Sequence, residues 1–399
     1  VSAAIETIDL FEPEKLTFEE AMRQGLVTYI PDSLWQDYYA RIAQEAIHPE
    51  NAKKAALRVV YSPLCGAGGE PVTEMLTRLG AELHVPESQR RPSGDFPTCP
   101  IPNPENDVSF TENYKLAEQV HPDIVLATDP DSDRTGIVLK DKSGEYVTLS
   151  GNQVGVLLTD YIITAKKLTN TMPAHPAVLK SIVTTEMARA AAEKNDVACF
   201  DTFTGFKFLA EKIKQFEQDG SHEYIFAFEE SYGYLCGDYA RDKDAVTASM
   251  LIAEMAAYYR TQGKTLYDAM EEMYEKYGYY GEKTHNLVMP GLDGLEKMAA
   301  LMKNLRDVPP TEIAGVAVTA RTDYKDGTIT DCTTGQVTAS ELKGSNVLRY
   351  TLADGTVILV RPSGTEPKIK VYILTLGKDA EERDTNIEKY SQWALALQN

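Results

Sequence analysis

Residues 57–86 read LRVVYSPLCGAGGEPVTEMLTRLGAELHVP. A short apolar run, a glycine-rich turn, an amphipathic stretch ending at Gly80 and a second apolar run spell strand, helix, strand. Two strands joined by a helix run parallel, and the crossover between them is right-handed in nearly all proteins. That unit sets the class as α/β.

Outward from it the same grammar repeats. Residues 15–57 are predicted to be mainly helical, with an interruption from Gly25 to Pro31. After the β-α-β unit come a proline-rich loop (PSGDFPTCPIPNPEN, 92–106), a helix near 111–120 and the strand DIVLAT (123–128). The pattern then resets: AVLKSIVTT, VACFDTF and EYIFAFEES are predicted strands, with EMARAAAEKN and FKFLAEKIKQFEQD as helices between them. Two long helices follow, AVTASMLIAEMAAYYRTQ and TLYDAMEEMYEKYG. Beyond about residue 286 the texture changes to glycine-centred turns between alternating strands (ITDCTTGQ, TLADGTVILV), closed by a helix over 378–397. The expected organisation is two α/β domains, 1–164 and 165–285, and a small α+β domain with an antiparallel sheet, 286–399.

The chain has 399 residues, 43% apolar and 25% charged, as in an ordinary globular protein. Its formal net charge of −20 argues against a nucleic-acid or anionic-membrane partner. Five scattered cysteines (65, 99, 199, 236, 332) contain no C-x-x-C pair, and no apolar run approaches a membrane span. The reading is a soluble, cytoplasmic chain with free thiols. It opens VSAAIETIDL, not on methionine, so an upstream segment is expected.

Three stretches carry chemistry. In VLATDPDSDRTGIV (125–138), Asp129, Asp131 and Asp133 alternate at a strand's end, with Arg134 behind them. Carboxylates at i, i+2 and i+4 of an extended loop can turn toward one centre, and Mg²⁺ takes such hard oxygen ligands. A calcium EF-hand is excluded by Arg134 at the sixth position and Lys140 at the twelfth. The alternative is an acidic turn whose aspartates cap local N–H groups. In TVILVRPSGTEPKIKVYILT (356–375), Arg361, Ser363, Gly364 and Thr365 make either an anion nest or an ordinary hairpin loop. EYIFAFEESYGYL (223–235) ends a strand in Glu229, Glu230 and Ser231, which either accept from sugar hydroxyls or form a solvated acidic loop. Thr204-Gly205-Phe206-Lys207 and Arg241-Asp242-Lys243-Asp244 add cations nearby in the chain.

In combination and in this order, D-x-D-x-D-R, TGFK, FEES and R-x-S-G-T resemble the α-D-phosphohexomutases, in their phosphoglucomutase and phosphomannomutase branch. YSPLCGAGG, FPTCPIPNPE and LSGNQVGVLL resemble further segments of that family, so the likeness spans nearly the whole chain. The resemblance implies a magnesium-dependent isomerase of carbohydrate metabolism, a phosphoprotein that interconverts hexose 1- and 6-phosphates through a phosphoserine and a hexose bisphosphate. It implies Asp129, Asp131 and Asp133 as Mg²⁺ ligands and Arg134 and Lys243 as catalytic-cleft cations. Thr204, Gly205, Glu229 and Ser231 would meet the sugar, and Arg361, Ser363, Gly364 and Thr365 the phosphate that is not transferred. Two departures stand out. Cys65 replaces the family's usual histidine. Thr247-Ala248-Ser249 and Thr338-Ala339-Ser340 continue into Met250 and Glu341, not into the His-Asn-Pro that follows the family's phosphoserine. The phosphoserine domain is therefore expected to be a missing N-terminal partner, leaving this chain inactive alone. Rival readings are a phosphopentomutase and a non-catalytic sugar-phosphate or metal-binding protein.

Overall fold

The computed structural model describes residues 2–9, 11, 15–291, 293–364 and 366–398. Two compact units emerge, Val1–Ala43 and Gln44–Asn399. The first carries α1 (Ser2–Ile5), α2 (Phe18–Arg23) and α3 (Asp32–Ala43), broken near Gly25 as expected. Thr17 caps α2 by accepting from the Glu20 N–H.

The second unit starts with α4 (Glu50–Ala55), then β1 (Arg58–Ser62), α5 (Gly69–Leu79) and β2 (Glu82–His84). α5 stops where Gly80 adopts φ 89°, and β2 returns parallel to β1, Arg58 opposite Glu82. A 3₁₀ turn (Asp107–Phe110) leads into α6 (Thr111–Val120) and β3 (Ile124–Thr128), again parallel to β1. β4 (Thr135–Lys140) and β5 (Tyr146–Leu149) then run antiparallel, giving the order β2-β1-β3-β4-β5. The aspartates thus form the turn of a hairpin. Residues 129–134 are too short for a parallel crossover, which needs a dozen residues or more.

α7 (Gly151–Leu168) begins with a capping box between Ser150 and Gln153 and is buried along most of its length. The next sheet repeats the first one's logic. β6 (Pro176–Ser181) pairs in parallel with β7 (Ala198–Thr202) across α8 (Glu186–Glu193). It also pairs in parallel with β8 (Glu223–Glu229) beyond α9 (Phe206–Asp219). β9 (Gly233–Leu235) folds back antiparallel on β8, so the FEES segment is also a hairpin turn. α10 (Ala245–Thr261), buried nearly all round, packs against α4, α5, β3 and β9, and so joins the two α/β layers. α11 (Leu266–Tyr277) follows.

The remaining strands form one antiparallel sheet that starts ahead of residue 286, with β10 (Tyr279–Val288). After α12 (Gly294–Asp307) come β11 (Glu312–Ile313), β12 (Val316–Asp323), β13 (Thr328–Asp331) and β14 (Val337–Ala339). They are followed by β15 (Leu348–Leu352), β16 (Val357–Pro362), β17 (Lys368–Gly377) and the terminal helix α13 (Ala380–Ala396). The sheet order is β10-β17-β16-β15-β12-β13-β14, with β11 paired to β12. Leu287, Ile358, Val360, Ile369, Val371 and Ile373 alternate inward against Met302 and Leu305 of α12 and Tyr390 of α13. A second cluster is shared between layers: Ile182, Val183 and Phe203 pack with Val357, Leu359 and Leu374. Each such aliphatic side chain contributes about 1.5–3 kcal/mol when fully buried, so the C-terminal sheet is held firmly beside β6 and β7.

Candidate active site

The aspartate loop is not extended. Ser132 takes φ 58°, and the chain closes a tight turn in which Asp129 Oδ1 accepts from the N–H groups of Asp133 (3.0 Å) and Arg134 (2.9 Å). Capping therefore does occur, as one reading of the sequence had it. It occupies one oxygen of one aspartate. Each of Asp129, Asp131 and Asp133 still offers a carboxylate oxygen, and these lie within 4.8 Å of one another. Asp129 is buried, Asp133 half-buried and Asp131 exposed, so the cluster opens outward on one side.

The loop rests on the stretch that set the fold class. Ala67 N–H donates to Pro130 O (2.8 Å), and a Cβ on Gly66 would sit 2.4 Å from Pro130 Cα. Only glycine lets the two backbones approach so closely.

Burial pushes the Asp129 carboxyl up to about 7, aided by the negative charges of Asp133 and Asp131 and opposed by the Arg134 N–H. Two cations offset part of this charge. Arg134 Nε is 3.7 Å from Asp129 Oδ2 and from Asp133 Oδ1. Lys243 Nζ is 2.6 Å from Asp133 Oδ2. Burial works against the Lys243 ammonium, but Asp133 outweighs it and holds that pKa above its ordinary value. Three convergent carboxylates, whose burial and mutual repulsion raise the Asp129 carboxyl, fit a divalent cation that would relieve the charge.

Next to this loop a cleft of about 630 Å³ gathers elements from all three sheets. Arg134 enters it from the β3–β4 turn, with Asn103 and Glu105 from the proline-rich loop. Thr204 and Gly205 precede α9, and Glu229 to Tyr232 form the β8–β9 turn. β10, β16 and β17 supply the remaining wall, including Glu282, Arg361, Lys370 and Tyr372. Gly151 at the start of α7 supports the β8–β9 turn from behind, where a Cβ would meet Glu230 O at 2.2 Å.

Glu229 is 8% exposed, and its Oε1 accepts from the Gly205 N–H at 2.7 Å. Burial lifts its carboxyl to about 7 together with the charge of Glu230, while the Gly205 N–H, Lys243 and Arg361 pull it down. Glu230 is also raised by burial; it accepts from Ser181 Oγ (3.4 Å) and Thr184 Oγ (3.3 Å) at the back of the turn. The acids therefore differ: Glu229 borders the Thr204–Gly205 loop, while Glu230 is anchored inward.

Of the residues singled out by sequence, Arg134, Thr204, Gly205, Glu229, Ser231 and Arg361 share this cleft. The three aspartates and Lys243 lie beside it through Arg134 and Asp133. Ser363 is half-buried: its N–H donates to Lys368 O (2.8 Å) and its Oγ accepts from the Glu366 N–H (3.3 Å). Gly364 is exposed in the same loop, and Thr365 lies outside the described residues.

Sequence reading missed Glu105, Lys370, Tyr372, Thr284 and Asn286. Arg361 pairs with Lys370, and Lys370 with Asn286, across three neighbouring strands. Leu359, Tyr372 and Thr284 form the next row but one. A hairpin register counted through residues 361–370 would have set Lys370 opposite Arg361; the β10 partners could not be foreseen. A larger hollow of about 1410 Å³ is lined by β7, α9 and residues 340–342, but two of its charges, Arg189 and Asp201, already pair with each other at 2.7 Å.

The fold and cleft define a class of layered α/β proteins with an acidic hairpin turn beside a cleft shared by three sheets. The chain matches three domain models of one family: phosphoglucomutase/phosphomannomutase, alpha/beta/alpha domain II over residues 36–144, alpha/beta/alpha domain III over 150–277, and the C-terminal domain over 286–383. It belongs to that phosphohexomutase family. It is 36% identical over 347 residues to a phosphoglucomutase of Staphylococcus aureus strain N315, and 35% over 344 residues to that of strain MRSA252. Each match covers 86% of this chain and 60% of the relative, so the chain spans well under two thirds of those proteins. Among solved structures it resembles the open form of the phosphoglucomutase parafusin from Paramecium (TM-score 0.61, 19% identity, 91% of this chain and 62% of that one). It also resembles a phosphoglucomutase/phosphomannomutase family protein from Burkholderia thailandensis (TM-score 0.59, 16% identity, 89% and 64%). Both share its fold. Among the described residues no helix is long and apolar enough to cross a membrane.

Proposed function

We propose that this chain forms the metal- and sugar-binding part of a phosphoglucomutase that interconverts glucose 1-phosphate and glucose 6-phosphate, with the mannose pair as a second substrate. The observation that carries this is the meeting of Arg134, Gly205, Glu229 and Arg361 in one cleft beside the three aspartates. In this reading Asp129, Asp131 and Asp133 hold Mg²⁺, which when bound offsets the charge of the phosphoryl group in transfer. Arg134 and Lys243 steady the same charge from the side. Glu229 and Ser231 take the sugar hydroxyls, with Thr204 and Gly205 shaping that wall. The Arg361 fork binds the distal phosphate bidentately, helped by Ser363, Gly364 and Thr365.

The phosphoryl donor in this reading is a serine outside these 399 residues, and a hexose bisphosphate is the intermediate. Ser249 is fully buried within α10, and Ser340 borders the separate hollow beside α9. All five cysteines are free thiols, in keeping with a cytoplasmic enzyme.

The test is direct. The chain is titrated with glucose 1,6-bisphosphate in Mg²⁺ by calorimetry and then assayed for glucose 6-phosphate formation from glucose 1-phosphate. Binding without turnover is expected. Appreciable isomerisation would put the donor serine within the chain, and tighter binding of ribose 1-phosphate than of glucose 1-phosphate in parallel titrations would move the assignment to a pentose substrate.

A further inference from the structure

Arg134 lies between two sets of acids. Its Nη1 is 2.7 Å from Glu105 Oε1, whereas its Nε is 3.7 Å from Asp129 Oδ2 and from Asp133 Oδ1. The first distance is that of a charge-assisted hydrogen bond; the other two are ionic contacts beyond hydrogen-bonding range. We propose that Glu105 is a positioning residue, holding the Arg134 guanidinium off the Asp129 and Asp133 carboxylates so that these remain available to a divalent cation. This rests on the reading of those aspartates as cation ligands.

The loop that carries Glu105 is built to hold it still. Glu105 N–H donates to Asn103 Oδ1 (2.9 Å), and Ser109 Oγ donates to Ile101 O and Asn103 O. Pro104 packs on β4, where a Cβ on Gly136 would fall 2.6 Å from Pro104 Cβ. The carboxylate is thus fixed to the strand that begins one residue after Arg134. Glu105 also sits close enough to Glu230 to raise that acid's pKa, so a negative charge here is unfavourable unless Arg134 compensates it. If the tether is removed, the remaining acids nearest the guanidinium are Asp129 and Asp133. A cation that settles on them competes with a metal ion for the same oxygens.

The experiment measures Mg²⁺ affinity of the full 399-residue chain by calorimetry, without sugar phosphate. The proteins compared are the wild type and the variants E105Q, R134M, E105Q/R134M and D131N. E105Q should weaken Mg²⁺ binding about three- to tenfold, as expected for a partly exposed ion pair. R134M should not weaken it, and the double variant should match R134M, because the penalty of losing Glu105 exists only while Arg134 is present. Equal weakening by E105Q in both backgrounds would mean that Glu105 acts through its own field, and would overturn the tether. So would unchanged affinity in E105Q while D131N loses binding. If neither wild type nor D131N binds Mg²⁺, the cation site itself is refuted, and the tether with it. Thermal midpoints of all variants within a few degrees of wild type show that folding is not the cause.

Discussion

Asp131 and Asp129 stand two residues apart and do different work. Asp129 is buried and holds the turn together through two backbone N–H groups; Asp131 is exposed at the open side of the cluster. Replacing Asp131 with asparagine should therefore reduce Mg²⁺ affinity at least tenfold in a calorimetric titration. The thermal midpoint should stay nearly unchanged, because exposed substitutions shift stability by about 0.5 kcal/mol or less. Glu229 makes the opposite trade. Its carboxyl is raised from 4.5 to about 7, so the folded protein favours the neutral acid. The associated stability is fully present below about pH 4.5 and is lost as pH rises through 7. Glu229→Gln keeps an oxygen for the Gly205 N–H and removes the charge. It should raise stability by about 2–3 kcal/mol at pH 8, a gain that shrinks toward zero by pH 5 in denaturant melts. Hexose phosphate binding should weaken in the same variant at pH 8, since the ionised acceptor is lost. These roles were only half legible in the sequence. The alternating acids announced a carboxylate cluster, but an αL residue at Ser132, which bends the loop and turns Asp129 inward, has no signature in a D-x-D-x-D pattern.

At the scale of elements the sequence was most readable where periodicity was long. The β-α-β unit, α10, α11 and the C-terminal hairpins all lie where their patterns predicted. What it hid was strand direction: β4 and β9 follow parallel strands yet return antiparallel, and that reversal makes hairpin turns of both acidic loops. Apolar runs such as TGIVL carry no mark of direction; only the shortness of the connection does. The glycine-rich turn of the opening unit is the counterpart surface. Its Gly66 meets the Pro130 backbone, so Gly66→Ala forces the β3–β4 turn to shift. A clash between two backbones is not relieved by side-chain rotation, and the variant should lose about 1–3 kcal/mol. It should also lose Mg²⁺ affinity, although residue 66 carries no ligand. Retained affinity in a Gly66→Ala chain with a lowered melting point would show that the two loops are not coupled.

Across the whole molecule, the Glu229 wall and the Arg361 wall of the cleft come from different layers, and something must hold them in register. Part of this is the shared apolar cluster of Phe203, Val357 and Leu359. Beside it runs an ionic network. Lys180 on β6 is fully buried, with Nζ 2.9 Å from Asp201 Oδ1 and 3.3 Å from Glu186 Oε1. Arg189 binds Asp201 at 2.7 Å, and Arg349 on β15 reaches Glu186 at 3.9 Å. Burial would raise both carboxyls, but Lys180 leads the cations that hold them below their usual range. Their contribution is therefore present above the ordinary carboxylate range and is lost as pH falls through the depressed values. Lys180→Met leaves two half-buried acids with one cation fewer, which should cost about 3 kcal/mol at pH 7 and progressively less toward pH 4. The functional consequence separates the two walls. Mg²⁺ binding at the aspartate turn should be unchanged, because that turn sits on the first sheet. Binding of glucose 1,6-bisphosphate, which in the proposed reading spans Glu229 and Arg361, should weaken severalfold. Parallel titrations of metal and bisphosphate into this one variant test the division, and an equal loss of both would mean that the network supports the fold as a whole and not the spacing of the cleft.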